Sequence, residues 1–116
     1  MENVIKEKSF RFATRIVKVY KFLRETKSEY VISKQLLRSG TSIGANVAES
    51  HYAQSRPDFV SKLSIAMKEA AETDYWLRLL FEANYLTKAQ FTSLISDCDE
   101  LERLLVSILK TTKNNS

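Results

Sequence analysis

Leu36-Leu-Arg-Ser-Gly-Thr-Ser-Ile-Gly-Ala-Asn-Val-Ala-Glu-Ser-His-Tyr-Ala-Gln-Ser-Arg56 is the stretch from which the rest of the chain is read. Within it Gly40, Gly44 and Ala48 recur at four-residue intervals, which on a helix sets them along one face with almost no side chain between backbone and neighbour. A second helix can then approach unusually closely. Both glycines of the protein lie here, and each costs about 1 kcal/mol relative to alanine inside a helix, so a helix that keeps them needs a packing reason. Ile32, Leu36, Ile43 and Val47 hold helical spacing straight through both. The spacing predicts one continuous helix over 31–53, against the alternative of a loop around Ser39 to Ser42. Ser28 is the expected N-cap of this helix.

Downstream, Ser55 followed by Pro57 and Asp58 is a capping-box-like start for a third helix over 56–84, the longest expected. Its core face is Phe59, Leu63, Ala66, Ala70, Leu77, Leu80 and Phe81. A second apolar stripe, Ile65, Trp76, Leu79 and Ala83, lies more than about 60° away at helical spacing. A helix apolar on two sides is expected to be buried on two sides, so Ile65, Trp76 and Leu79 are the candidate oligomer interface. The fourth helix, over 88–111, opens with Thr87 and Gln90 as a capping box. Phe91, Leu94, Cys98, Leu101, Leu105 and Ile108 then form one apolar face, with Asp97, Asp99, Glu100 and Glu102 off it.

Upstream, a first helix over 7–25 buries Phe12, Ile16, Val19 and Leu23. On its other side Lys8, Arg11, Arg15 and Lys18 follow the same rhythm, a one-signed stripe that reads either as an ordinary solvated face or as a surface for phosphates. The net charge of the 116 residues is +4, but residues 1–27 hold eight Lys or Arg against three acids, and residues 69–102 hold two against eight. Such asymmetry serves a nucleic-acid partner, or lets one subunit's basic side meet the next one's acidic side. On the second helix Arg38, Ser42, Asn46 and Glu49 form a polar line. Arg38 and Glu49 stand about 16 Å apart along it, too far to pair with each other. Arg38, Asn46 and Glu49 are therefore expected to fix helix register or subunit contacts.

The run from Gln35 to Glu49, followed by Ser55-Arg-Pro-Asp-Phe59 and Lys68-Glu-Ala-Ala-Glu-Thr-Asp-Tyr-Trp-Leu77, resembles the four helix bundle protein family, also called the 23S rRNA intervening-sequence protein family. The resemblance covers the chain from about Phe12 to Lys113. It implies a homopentameric ring of four-helix subunits with no known enzymatic activity. It also implies similarity to the accessory protein of diversity-generating retroelements, a basic ring that binds nucleic acid.

Cys98, the one cysteine, excludes an internal disulfide framework and a thiolate metal cluster, and fits a reduced cytoplasmic setting. No apolar run approaches the ~20 residues of a membrane span, and the N-terminus lacks the apolar centre of a signal peptide. The sole histidine, His51, is two residues from Glu49, so the Glu-x-x-His pair of a di-iron bundle is missing. Glu69 and Glu72 are spaced as a carboxylate pair and read as a charged interface or surface rather than a metal site. No serine sits in a nucleophile elbow, and Gly-Thr-Ser-Ile-Gly lacks the lysine of a P-loop.

The expectation is an all-α, antiparallel up-down-up-down four-helix bundle in one domain, with no cofactor, metal or catalytic residue. It would assemble with itself, contact RNA or DNA or else another protein, and stay off membranes.

Overall fold

A computed structural model of the chain describes residues 2–114. They form four helices, α1 (Glu2–Glu25), α2 (Ile32–Ser50), α3 (Arg56–Glu82) and α4 (Lys88–Asn114), and among the described residues there is no strand. The helices pack as a bundle of 47 × 21 × 19 Å. Cross-helix contacts fix the directions. Gly40 lies against Ile16 and Gly44 against Ser9, Arg38 reaches Glu69 and Glu49 reaches Lys62, and Arg15 meets Asp97 while Lys8 meets Glu100. In each pair residue numbers rise on one helix as they fall on the other, so neighbours run antiparallel.

The loop around Ser39 to Ser42 does not exist; α2 is helical through both glycines, and neither has a positive φ. Their role is proximity rather than conformational freedom. A Cβ on Gly40 would sit 2.8 and 2.9 Å from the γ carbons of Ile16, and one on Gly44 would sit 3.1 Å from the Ser9 carbonyl oxygen. Ala48, placed on the same face by spacing, is exposed. Beyond Gly44 the face opens into a cleft that Ala48 shares with Lys6, Glu7 and Phe10 of α1.

The starts of α3 and α4 form as their sequences dictate. Ser55 Oγ accepts from the Asp58 amide at 3.2 Å, and the Asp58 carboxylate accepts from the Gln54 amide at 3.1 Å. Thr87 and Gln90 exchange two such bonds, at 2.9 and 3.1 Å. The start of α2 is different from expectation. Ser28 is exposed in a left-handed conformation, φ 53°, and caps nothing. Glu29 does the work instead, its buried carboxylate accepting from the amides of Val31, Ile32 and Ser33 at 3.2, 3.0 and 2.7 Å. A glutamate arm reaches three of the orphan N–H groups of a helix start, where a serine reaches one. α1 begins at Glu2, earlier than the apolar spacing predicts, and α4 equals α3 at 27 residues. α3 ends in a Schellman motif, with Asn84 at φ 67° and Tyr85 N–H donating to Leu80 O at 2.9 Å.

Phe12, Ile16, Leu23, Leu36, Ile43, Leu63, Leu77, Leu80, Leu101 and Leu105 fill a continuous core. Thr73 and Ser39, both buried, join α3 to α2 by a 3.0 Å hydroxyl bond. Of the adjacent helix pairs, α1 and α4 pack least closely, and two grooves open along their seam.

Candidate functional site

Three of the four cations of the α1 stripe are paired. Lys8 meets Glu100 at 3.0 Å and Arg15 meets Asp97 at 2.5 Å across the seam with α4, while Arg11 meets Glu7 at 2.5 Å one turn back. Arg15 also donates to Ser93, to its hydroxyl at 3.0 Å and its carbonyl at 3.4 Å. The stripe is therefore not free of acids, and Arg15 does not stand clear in solvent. The acidic face of α4 answers it within the same subunit, and Glu7, immediately before Lys8 in sequence, lies one helical turn from Arg11 and answers that residue. Lys18 has no carboxylate within ion-pair distance among the described residues.

Beyond Lys18 the end of the helix and the link that follows keep their cations unpaired. Lys21, Arg24 and Lys27 also lack a carboxylate partner among the described residues. At about 100° per residue, Lys18, Lys21 and Arg24 step about 60° apart around the outer side of α1. Aromatic rings hold the far end of this arc. The Arg24 guanidinium lies 5.4 Å from the ring centres of both Tyr20 and Tyr30 and donates to the Tyr20 hydroxyl at 2.9 Å, and the Lys27 ammonium lies 5.9 Å from the Phe22 ring. At the other end Lys18 borders a groove of about 410 Å³ whose floor is Val19, Phe22, Leu86 and Leu94 and whose rim includes Arg15 and Gln90. Lys21 and Arg24 are legible in the sequence at the three-residue spacing of Lys18, but they step out of the arc of about 80° that holds the first four cations.

The polar line of α2 finds its partners on α3. Arg38 bridges Glu69 at 3.1 Å and Glu72, whose carboxylate also accepts from the Trp76 indole N–H at 2.9 Å. The Trp76 and Arg38 bonds together hold the Glu72 carboxyl below its usual range despite burial. Glu49 meets Lys62 at 2.9 Å, and Asn46 bonds back to the Ser42 carbonyl at 2.8 Å within its own helix. Arg38 and Glu49 thus set the α2–α3 register inside one subunit, while Asn46 spans no interface in this chain.

The second stripe of α3 divides. Trp76 and Leu79 are half-buried, with Trp76 packed on the core and tied to Glu72, whereas Ile65 stays 41% exposed and Ala83 is exposed. α3 is flanked by α2 on one side and α4 on the other, so two apolar stripes do not by themselves demand a second subunit. The largest exposed apolar side chains lie elsewhere, Phe10 at 74% and Tyr52 at 85%. Phe10 stands with Lys6, Glu7, Gly44 and Ala48 around a shallow cleft of about 350 Å³.

Asp74 on α3 and Asp99 and Glu102 on α4 bring one oxygen each within 4.8 Å of one another, a cluster that only the fold assembles. Such oxygens are what a hard divalent cation takes, but it takes six or more, and Arg78 already holds Asp74 at 2.6 Å. Burial and the two aspartates push the Glu102 carboxyl above its usual range. Burial and the same carboxylates push the Cys98 thiol up as well, so it is a core side chain without nucleophilic character. No helix among the described residues is long and apolar enough to cross a membrane.

The family described as 23S rRNA-intervening sequence protein matches residues 1–107. Among solved structures, a protein of unknown function from the S23 ribosomal protein family of Bacteroides thetaiotaomicron superposes with a TM-score of 0.93 at 56% identity. The match covers 94% of this chain and 97% of that one. Among proteins with curated descriptions, none matches.

Proposed function

This chain belongs to the 23S rRNA-intervening sequence protein family, and we propose that it is a non-enzymatic, self-assembling bundle that holds nucleic acid by its phosphates. The observation that carries the reading is the contrast along α1. Lys8, Arg11 and Arg15 spend their charge on carboxylates, whereas Lys18, Lys21 and Arg24, with Lys27 just past the helix end, form a cationic arc interrupted only by exposed Glu25 and with no carboxylate at ion-pair distance among the described residues. Contacts of this kind position a polyanion without reading its sequence. A protein with the same arc in every subunit of a ring would multiply a weak contact; the number five rests on the family resemblance alone. Light scattering at micromolar concentration tests assembly, and a 13.4 kDa species would remove it.

Fluorescence anisotropy with unrelated RNA and DNA oligomers at two salt concentrations tests the binding. With four phosphates engaged in all, log affinity should fall against log salt with a slope of roughly −3 to −4. Lys18→Glu with Lys21→Glu should abolish binding, and Arg11→Glu should leave it largely intact. Absence of binding at low salt would overturn the reading; equal loss in both variants would return the surface to the whole of α1.

A second reading is favoured by the cleft at Phe10. An aromatic ring 74% exposed beside Gly44 and Ala48 is a surface that another protein or another copy can cover. In that case the bundle is a scaffold, and the cations of α1 serve its solubility.

A further inference from the structure

The corner where α1 ends and α2 begins holds more than charge. Arg24 is fixed between two tyrosines, 5.4 Å from each ring centre and bonded to the Tyr20 hydroxyl. It is held in place by neutral groups, so its position is set while its charge stays available. Tyr30 is half-exposed at 50%, with the guanidinium over its ring and Lys27 in the link that leads to it. The acids of the corner do not cancel these cations at contact range. Glu29 is buried and occupied by three backbone amides, and Glu25 is exposed and makes no ion pair among the described residues.

A rigid cation beside an open aromatic ring matches one repeating unit, a phosphate followed by an unstacked base. In a duplex the bases are already stacked and paired, and a flat ring on a protein surface has nothing to stack on. Resting on the nucleic-acid reading above, we infer that this corner is a site for unpaired nucleotides, in which Arg24 takes a backbone phosphate and Tyr30 stacks a base, so that single strands are preferred over duplex. Lys21 and Lys18 continue the phosphate track around α1 by two further steps of about 60°.

The test uses the full chain and oligonucleotides of about 12 residues, single-stranded and annealed, a length within the span of such surfaces. The single strand should bind more tightly than its own duplex at equal salt. Tyr30→Ala and Tyr30→Leu should weaken single-strand binding by about 5- to 100-fold, the range of one lost base stack, and leave duplex binding within about twofold. Tyr30→Phe, which keeps the ring, should bind as the parent does. Tyr30 is exposed, so these variants should keep their helix content by circular dichroism. Duplex bound as tightly as single strand, or Tyr30→Leu equal to the parent, would overturn the inference while leaving phosphate binding in place. Binding to neither form would overturn both.

Discussion

Replacing Gly40 with alanine sets two opposed effects against each other, and the structure assigns their sizes. Alanine removes the glycine penalty of about 1 kcal/mol in a helix interior. Its Cβ would lie 2.8 Å from Ile16 Cγ1, 2.9 Å from Cγ2 and 3.3 Å from Cβ. These are not the free end of a flexible chain. Ile16 is β-branched, stiff at χ1 and fully buried, so it cannot swing aside. Overpacking of this sort costs about 1–3 kcal/mol, which leaves Gly40→Ala destabilised by about 0–2 kcal/mol despite its better helix propensity. Ile16→Ala removes both γ carbons at a cost of about 2–5 kcal/mol. In that background Gly40→Ala should change sign and stabilise by up to roughly 1 kcal/mol, since both γ carbons are gone and only the 3.3 Å approach to the Cβ that alanine keeps opposes the propensity gain. Ile16→Val is the control: it keeps both γ carbons and should not relieve the contact. The assay is urea unfolding of the four-member cycle at one fixed protein concentration, with m-values compared, because assembly would make stability concentration-dependent. A Gly40→Ala effect that is the same with Ile16 and with Ala at position 16 would refute the close contact as the reason for glycine.

Two carboxylates should move stability with pH in opposite directions. Glu29 is buried, which raises its pKa, but the amides of Ile32, Ser33 and Val31 outweigh that and hold it below the usual range; its contribution is present above the unfolded pKa and lost as pH falls through the folded one. Glu29→Gln should therefore cost about 1–2 kcal/mol at neutral pH, and the gap to the parent should close in acid unfolding below about pH 4. Glu102 is pushed upward, first by burial and then by Asp74 and Asp99, so its favourable state is the protonated one, present at low pH and lost as pH rises through the raised value. Glu102→Gln should raise the thermal midpoint at pH 7 and leave it unchanged in acid; a midpoint lowered at pH 7 would show that the carboxylate is held by something attractive.

Helices α3 and α4 were legible from local chemistry, because Ser55–Asp58 and Thr87–Gln90 are self-contained caps whose partners sit three residues away. The continuity of α2 was legible because Ile32, Leu36, Ile43 and Val47 kept one phase through Gly40 and Gly44. Charge pairing was not legible in the same way. Whether Arg15 meets phosphate, solvent or Asp97 depends on which helix lies beside α1, and helical period carries no information on neighbours. The doubled stripe of α3 does not by itself decide assembly, for a related reason: in a four-helix bundle each helix has two neighbours, so Trp76 finds Glu72 and the core of its own subunit while Ile65 stays exposed. The glutamate cap of α2 escaped because a buried Glu29 four residues before Ser33 looks like any surface acid until the chain folds back on it.

By itself, then, the sequence determined the four helices, the two glycines that let α2 lie against α1, and the excess of cations near the N-terminus, since these follow from period, caps and residue volume along one chain. The tertiary structure decided which cations remain uncompensated, by laying the carboxylates of α4 against Lys8 and Arg15 and leaving Lys18, Lys21, Arg24 and Lys27 beyond their reach. Ion pairing acts over a few ångströms between atoms far apart in sequence, and only packing brings them that near.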